Sequence, residues 1–187
     1  DRIAEFPVAR ENIFLAHAGV TVLPRRATDA MKTYAEASCV SHQEFGGVLR
    51  DVSATRALCA KLIGAHADEI ALLGPTSLGL SLFSNGIDWR PGDEVVYYAD
   101  DYPSNVYPWT SLVRQGVVPV PLRPGVPGEI TAELVESVLT PRTRLVALAS
   151  CHFLSGRMID IEKIGSLLQS RGILFSVDAI QTLGAAP

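Results

Sequence analysis

From about residue 69 onward, short apolar runs rich in valine, leucine and tyrosine alternate with stretches whose apolar positions recur at helical spacing. That rhythm predicts βαβ units. The strands fall at 69–73, Glu94–Tyr98, 117–122, 145–149 and Leu174–Asp178. Their nearly continuous apolar character suits strands covered on both faces, as in a parallel sheet. Pro119 and Pro121 cannot donate to a ladder, so 117–122 is an edge strand at best.

Leu134, Val135, Val138 and Leu139 share a helical face after Thr131, whose hydroxyl can cap the helix, and Glu133 suits its positive first turn. Ile161, Ile164, Leu167 and Leu168 make a second stripe, with Asp160 as N-cap and Gly172 as the stop. Arg90-Pro91-Gly92-Asp93 and Arg123-Pro124-Gly125 mark turns between elements. The architecture predicted is α/β, doubly wound, on a mainly parallel sheet. Residues 1–68 read differently: extended at 13–15, helical over 25–37 and 54–63, and polar with glycine at 41–47.

With 48% hydrophobic and 19% charged residues, the chain can bury the core of one domain. A net charge of -4 gives no polybasic surface, which argues against nucleic acid or an anionic membrane as partner. No apolar run reaches the roughly 18 residues of a membrane span, and Asp1-Arg2-Ile3 does not open a signal peptide. The absent initiator methionine suggests cut ends. Cys39, Cys59 and Cys151 form no CxxC pair, so a reducing cytoplasm is the expected location. His17, His42, His66 and His152 lack metal-ligand spacing, and no metal is expected.

In open α/β sheets ligands bind beyond the carboxyl ends of the strands, so the residues just after each strand carry the candidate chemistry. Gly74-Pro75-Thr76-Ser77-Leu78-Gly79 turns into a helix whose free N–H groups, dipole and two hydroxyls suit a phosphate; the plainer reading makes Thr76 a helix cap. Tyr102, in Asp100-Asp101-Tyr102-Pro103-Ser104-Asn105, can stack on a flat heterocycle or simply pack. His152, in Ser150-Cys151-His152-Phe153, is a ligand hydrogen bonder or a structural one. Asp178 ends its strand and Gln181 follows one helical turn on; a cap and a surface role are their plain alternatives. A buried carboxylate needs a cationic partner or it protonates.

An anion cradle, a stacking ring, hydrogen bonders and a carboxylate at one sheet edge match a phosphorylated pyridine. The chain resembles the class V aminotransferase family of fold-type-I pyridoxal-phosphate (PLP) enzymes, which includes cysteine desulfurases, selenocysteine lyases, isopenicillin N epimerase-like proteins and kynureninases. The resemblance rests on the order of Ile13-Phe14-Leu15-Ala16-His17-Ala18-Gly19, Leu62-Ile63-Gly64-Ala65, Asp68-Glu69-Ile70-Ala71-Leu72, Thr76-Ser77-Leu78-Gly79-Leu80, Trp89-Arg90-Pro91-Gly92-Asp93-Glu94-Val95-Val96, Tyr102-Pro103-Ser104-Asn105 and Val177-Asp178-Ala179-Ile180-Gln181-Thr182-Leu183-Gly184.

The resemblance implies that Thr76 and Ser77 hold the cofactor phosphate and that Tyr102 stacks on the ring, where desulfurases carry a histidine. It also implies that Asp178 pairs with the pyridine nitrogen, and that Gln181 and His152 address the ring's phenolic oxygen. It implies an amino-acid substrate, a homodimer, a segment 1–20 contributing to a smaller domain or to the substrate pocket, and a PLP-binding large domain over 21–187 that stops before the Schiff-base lysine. Tyr102-Pro103 leans slightly toward the epimerase-like or kynureninase-like branches.

The family carries its Schiff-base lysine on a strand well after the Asp-x-x-Gln, and Lys32, Lys61 and Lys163 all fall on surface helices. The leading expectation is therefore the N-terminal portion of a longer enzyme, inactive alone. The alternative is a non-catalytic module that binds PLP or another phosphorylated ligand.

Overall fold

The computed structural model describes residues 1–17, 19–42 and 44–186. The chain divides into two compact units, one ending at Leu72 and the other beginning at Leu73. Among the described residues no helix is long and apolar enough to cross a membrane.

The first unit holds helices α1 (Arg2–Glu5), α2 (Arg25–Val40) and α3 (Phe45–Ile63). Asp1 caps α1 by accepting from the Ile3 N–H, and Arg26 Nε donates to Glu5 Oε1 at 2.7 Å, tying α2 to α1. Helix α3 stops at Gly64, where a φ of 68° favours a residue without Cβ. Both long helices extend beyond the spans read from periodicity. Within them only Ala60 is buried, so most of their apolar surface is open.

The second unit opens with α4 (Thr76–Gly86), followed by β1 (Glu94–Tyr98), α5 (Tyr107–Thr110), β2 (Val118–Leu122), α6 (Ala132–Val138), β3 (Thr143–Ala149), α7 (Ile161–Ser170) and β4 (Leu174–Asp178). The four strands pair in parallel in the order β2-β1-β3-β4. Helices cover both faces, which makes the unit doubly wound. On one face Val96, Tyr98, Val146 and Leu148 pack with Val135 of α6 and with Ile164 and Leu168 of α7. On the other, Val95, Leu145 and Ala147 meet Trp109 and Leu112, with Leu80 of α4 against them.

Strand β2 is an edge, as its prolines require: Pro119 and Pro121 lie in register with Val95 and Tyr97, and their missing N–H groups leave the outer side unable to build a ladder. Thr131 accepts from the Leu134 N–H at 3.2 Å and Asp160 from the Lys163 N–H at 2.9 Å, so both expected caps form. The expected strand at 69–73 does not. Residues Ala67–Glu69 make a short 3-10 turn, and 70–75 follow without regular structure. None of the four strands pairs with this run.

Candidate functional site

Helix α4 begins with Pro75 as its N-cap, and no side chain caps it. Thr76 is therefore the first helical residue and not the cap. The N–H groups of Leu78 and Gly79 turn back to the Pro75 carbonyl, while those of Thr76 and Ser77 precede any intrahelical acceptor. They stand at the positive end of the helix dipole, beside two hydroxyls, a setting suited to an anion. Ser77 shares a cleft of about 440 Å³ with Tyr102, Ser104 and Tyr107. The helix start thus lies beside the loop that leaves β1.

Tyr102 is 54% exposed, and its ring makes a T-shaped contact with Phe153 at 5.3 Å between centroids. One side of the ring is braced and the remainder open, as stacking on a flat ligand requires.

Asp178 is the last residue of β4, in register with Ala149, and only 9% exposed. Its carbonyl accepts from the Ser150 N–H at 2.9 Å, and its Oδ1 accepts from the Ile180 N–H at 3.0 Å. The carboxylate therefore caps a turn and not a helix, because turns and one isolated bridge, not a helix, follow over 180–186. Among the described residues no arginine, lysine or histidine pairs with it. Among the described residues Oδ2 has no hydrogen-bond partner either, and no buried side-chain oxygen lacks one. Oδ1 of Asp178 is thus held by backbone, while no described residue engages Oδ2.

Gln181 sits in the same turn, half-buried, three residues on. His152 is buried and its ring is tied to protein. Nε2 lies 3.2 Å from the Asp100 carbonyl, which can only accept, so this nitrogen carries the hydrogen. Nδ1 is then the acceptor for the Ser155 N–H at 3.3 Å and the Ser155 hydroxyl at 2.9 Å. The ring also meets Tyr98 at 5.4 Å and Phe153 at 5.2 Å. Both ring nitrogens of His152 thus have protein partners, and the ring reaches Tyr102 through Phe153.

Sequence reading passed over Asp101, Asn105 and Trp109. Asp101 is buried; its Oδ1 accepts from the Tyr102 N–H at 2.7 Å, and its Oδ2 from Asn105 Nδ2 at 2.9 Å and the Ala149 N–H at 3.2 Å. Asn105 Oδ1 accepts from Trp109 Nε1 at 3.1 Å. Burial pushes the Asp101 carboxyl above its ordinary value against the pull of these donors, and the Asp178 charge adds to the rise. The spacing of four between Asp101, Asn105 and Trp109 was the available signal.

The fold defines an α/β protein, and the candidate residues gather at the carboxyl edge of its parallel sheet. The chain matches the aminotransferase class-V family over residues 13–187, and it belongs to that family. A probable cysteine desulfurase of Methanothermobacter thermautotrophicus is 28% identical over 185 residues, covering 96% of this chain and 46% of that protein. The uncharacterized aminotransferase YcbU of Bacillus subtilis is 25% identical over 182 residues, covering 97% of this chain and 48% of that protein.

Among solved structures, the cystine C–S lyase C-DES in complex with its reaction product cysteine persulfide has a TM-score of 0.86 at 19% identity, covering 97% of this chain and 51% of that one. The Escherichia coli cysteine desulfurase CsdA has a TM-score of 0.81 at 23% identity, covering 95% of this chain and 47% of that one. At these identities the likeness establishes the fold, including its parallel sheet. The chain spans about half the length of the curated relatives just named. Two further relatives, from Mycoplasma pneumoniae and Mycoplasma genitalium, are also named probable cysteine desulfurases.

Proposed function

We propose that this chain forms the PLP-binding part of an enzyme acting on an amino acid, with desulfurase or related lyase chemistry the branch its relatives' names support. The observation that carries the reading is the Asp178 carboxylate, nearly buried, without a cationic partner among the described residues, and engaged by none of them at Oδ2. Such a group calls for a cation, and a protonated pyridine nitrogen supplies one. Thr76 and Ser77 would hold the phosphate through their N–H and hydroxyl groups, Tyr102 would cover the ring, and Gln181 would approach the phenolic oxygen. When bound, the cofactor acts as an electron sink for charge developing at the substrate's Cα. Asp178 serves that role by holding a proton on the ring nitrogen.

Lys163, the only lysine of the second unit, pairs with Glu133 between α7 and α6 and is exposed. Lys32 and Lys61 are exposed on α2 and α3 of the first unit. We assign the lysine that would bind the cofactor covalently to none of them, and place it outside these residues. The open apolar positions Leu58, Leu62 and Ile63 on α3 support a homodimer, and three free cysteines support a reducing location such as the cytoplasm.

The test is titration of the purified protein with PLP, followed by its absorption spectrum. Wild type is expected to shift the band on binding, and Asp178→Asn to bind roughly ten- to a hundredfold more weakly, the loss of a charged hydrogen bond. A wild-type protein that leaves the PLP spectrum unchanged overturns the reading.

A further inference from the structure

We infer that Asp101 is a positioning residue for ligand binding: its buried carboxylate joins the Tyr102 backbone to the end of β3 beside Asp178, so that ring and carboxylate are presented together to one heteroaromatic cation. The inference rests on the PLP reading of the site and goes beyond it by naming what sets the site's geometry.

The carboxylate touches three groups, two in the loop after β1 and one at the end of β3. Oδ1 holds the N–H of Tyr102, the residue whose ring lines the cleft. Oδ2 holds the Asn105 amide, which is locked in turn by Trp109 in the core beneath. Oδ2 also holds the N–H of Ala149, the cross-strand partner of Asp178. All three partners are N–H donors, and Asn105 cannot turn its amide over without setting its NH2 against the Trp109 N–H. A side chain with two acceptor oxygens and no donor is therefore the one that fits. Asparagine at this position keeps one oxygen and sets an NH2 against at least one of the donors.

The same group has an electrostatic effect. Asp101 and Asp178 are close enough to influence one another, and no cationic side chain among the described residues pairs with either. Two carboxylates at one strand edge favour a cation more than one does, and a ring nitrogen against Asp178 keeps its proton more firmly as a result.

The experiment is a double-mutant cycle on PLP affinity, with induced circular dichroism of the bound chromophore as a second readout. Asp101→Asn is expected to weaken PLP by about tenfold and to change the dichroism per bound ligand. In the Tyr102→Ala background the same substitution is expected to cost threefold or less, because its effect runs largely through the placement of that ring. A residue that merely supports the fold would weaken binding equally in both backgrounds and leave the dichroism of the bound fraction unchanged; that result overturns the proposal. Should Asp101→Asn fail to fold, Asn105→Ser removes one donor and leaves the carboxylate, with about threefold weaker binding and altered dichroism expected; wild-type values for both overturn the inference. Failure of the PLP reading itself looks different, since wild type would then not bind PLP, or Asp178→Asn would bind it as well as wild type.

Discussion

Ala149 donates its backbone N–H to Asp101 Oδ2 at 3.2 Å across 48 residues of sequence. The bond fastens the loop leaving β1 to the end of β3, and the loop includes the ring of Tyr102 while the strand end is paired with Asp178.

Asp101 gives a pH dependence of stability with a definite sign. Burial, with Asp178 adding to it, raises the pKa above the ordinary 3.8, so between that value and the higher folded one the native state binds more protons than the unfolded chain. Stability contributed by this group is full below the unfolded value and is lost as pH rises through the folded one. In urea unfolding the stability gap between wild type and Asp101→Asn is expected to narrow from pH 3.8 toward neutrality, whereas a gap that widens over that window contradicts the assignment.

Tyr102 acts through its ring and not its hydroxyl if stacking is its task. Tyr102→Phe should bind PLP within about twofold of wild type, and Tyr102→Ala should lose roughly three- to tenfold, the worth of an aromatic pair. Equal losses for both variants in the same titration would point to the hydroxyl instead.

Glu94 anchors the amino end of the sheet. Burial alone would raise its pKa, but hydrogen bonds from Thr140 and Arg142 outweigh burial and hold it below the ordinary 4.5. Thr140 donates at 2.6 Å, and Arg142 donates through Nε at 3.1 Å and Nη2 at 2.9 Å. Glu94→Ala should cost about 1–3 kcal/mol, the lower part of the range for a paired charge, because Arg142 is 68% exposed and is not stranded in the core. Wild-type stability from this group is present above the unfolded pKa and lost as pH falls through the depressed one, so the cost of Glu94→Ala in urea midpoints should shrink toward acid.

Gly128 is required by both backbone and space. Its φ is +77°, and a Cβ there would sit 2.6 Å from Ser155 Oγ and 2.8 Å from His152 Cβ. Its N–H also donates to the Tyr98 hydroxyl at 3.1 Å. Gly128→Ala should lower stability by about 2–4 kcal/mol through strain and displacement of the His152 loop. Thermal unfolding checks the size, and a midpoint within a degree of wild type would show that the loop yields freely.

The elements that sequence predicts well are those whose cause is local. Thr131 and Asp160 cap because a side-chain oxygen reaches an N–H three residues ahead, and β1 and β4 span the residues their apolar runs mark. The edge position of β2 follows from two prolines. The residues read as site members differ in how locally their positions are set. Thr76 and Ser77 sit at a helix start and Asp178 at a strand end, positions set by the elements themselves. His152 is tied by Asp100 and Ser155, and Gln181 lies in a turn where a helix was expected.

The sequence by itself determined the doubly wound pattern, the helix caps, the edge strand and a carboxylate at the end of β4, because propensity, capping and missing N–H groups act within a few residues. Only the tertiary structure decided that residues 70–75 stay irregular, that Asp101 is buried under three donors, and that Asp178 has no cationic side chain paired with it among the described residues. Those outcomes depend on which strands become neighbours. Strand order is fixed by packing of the whole sheet, so no window of sequence contains it.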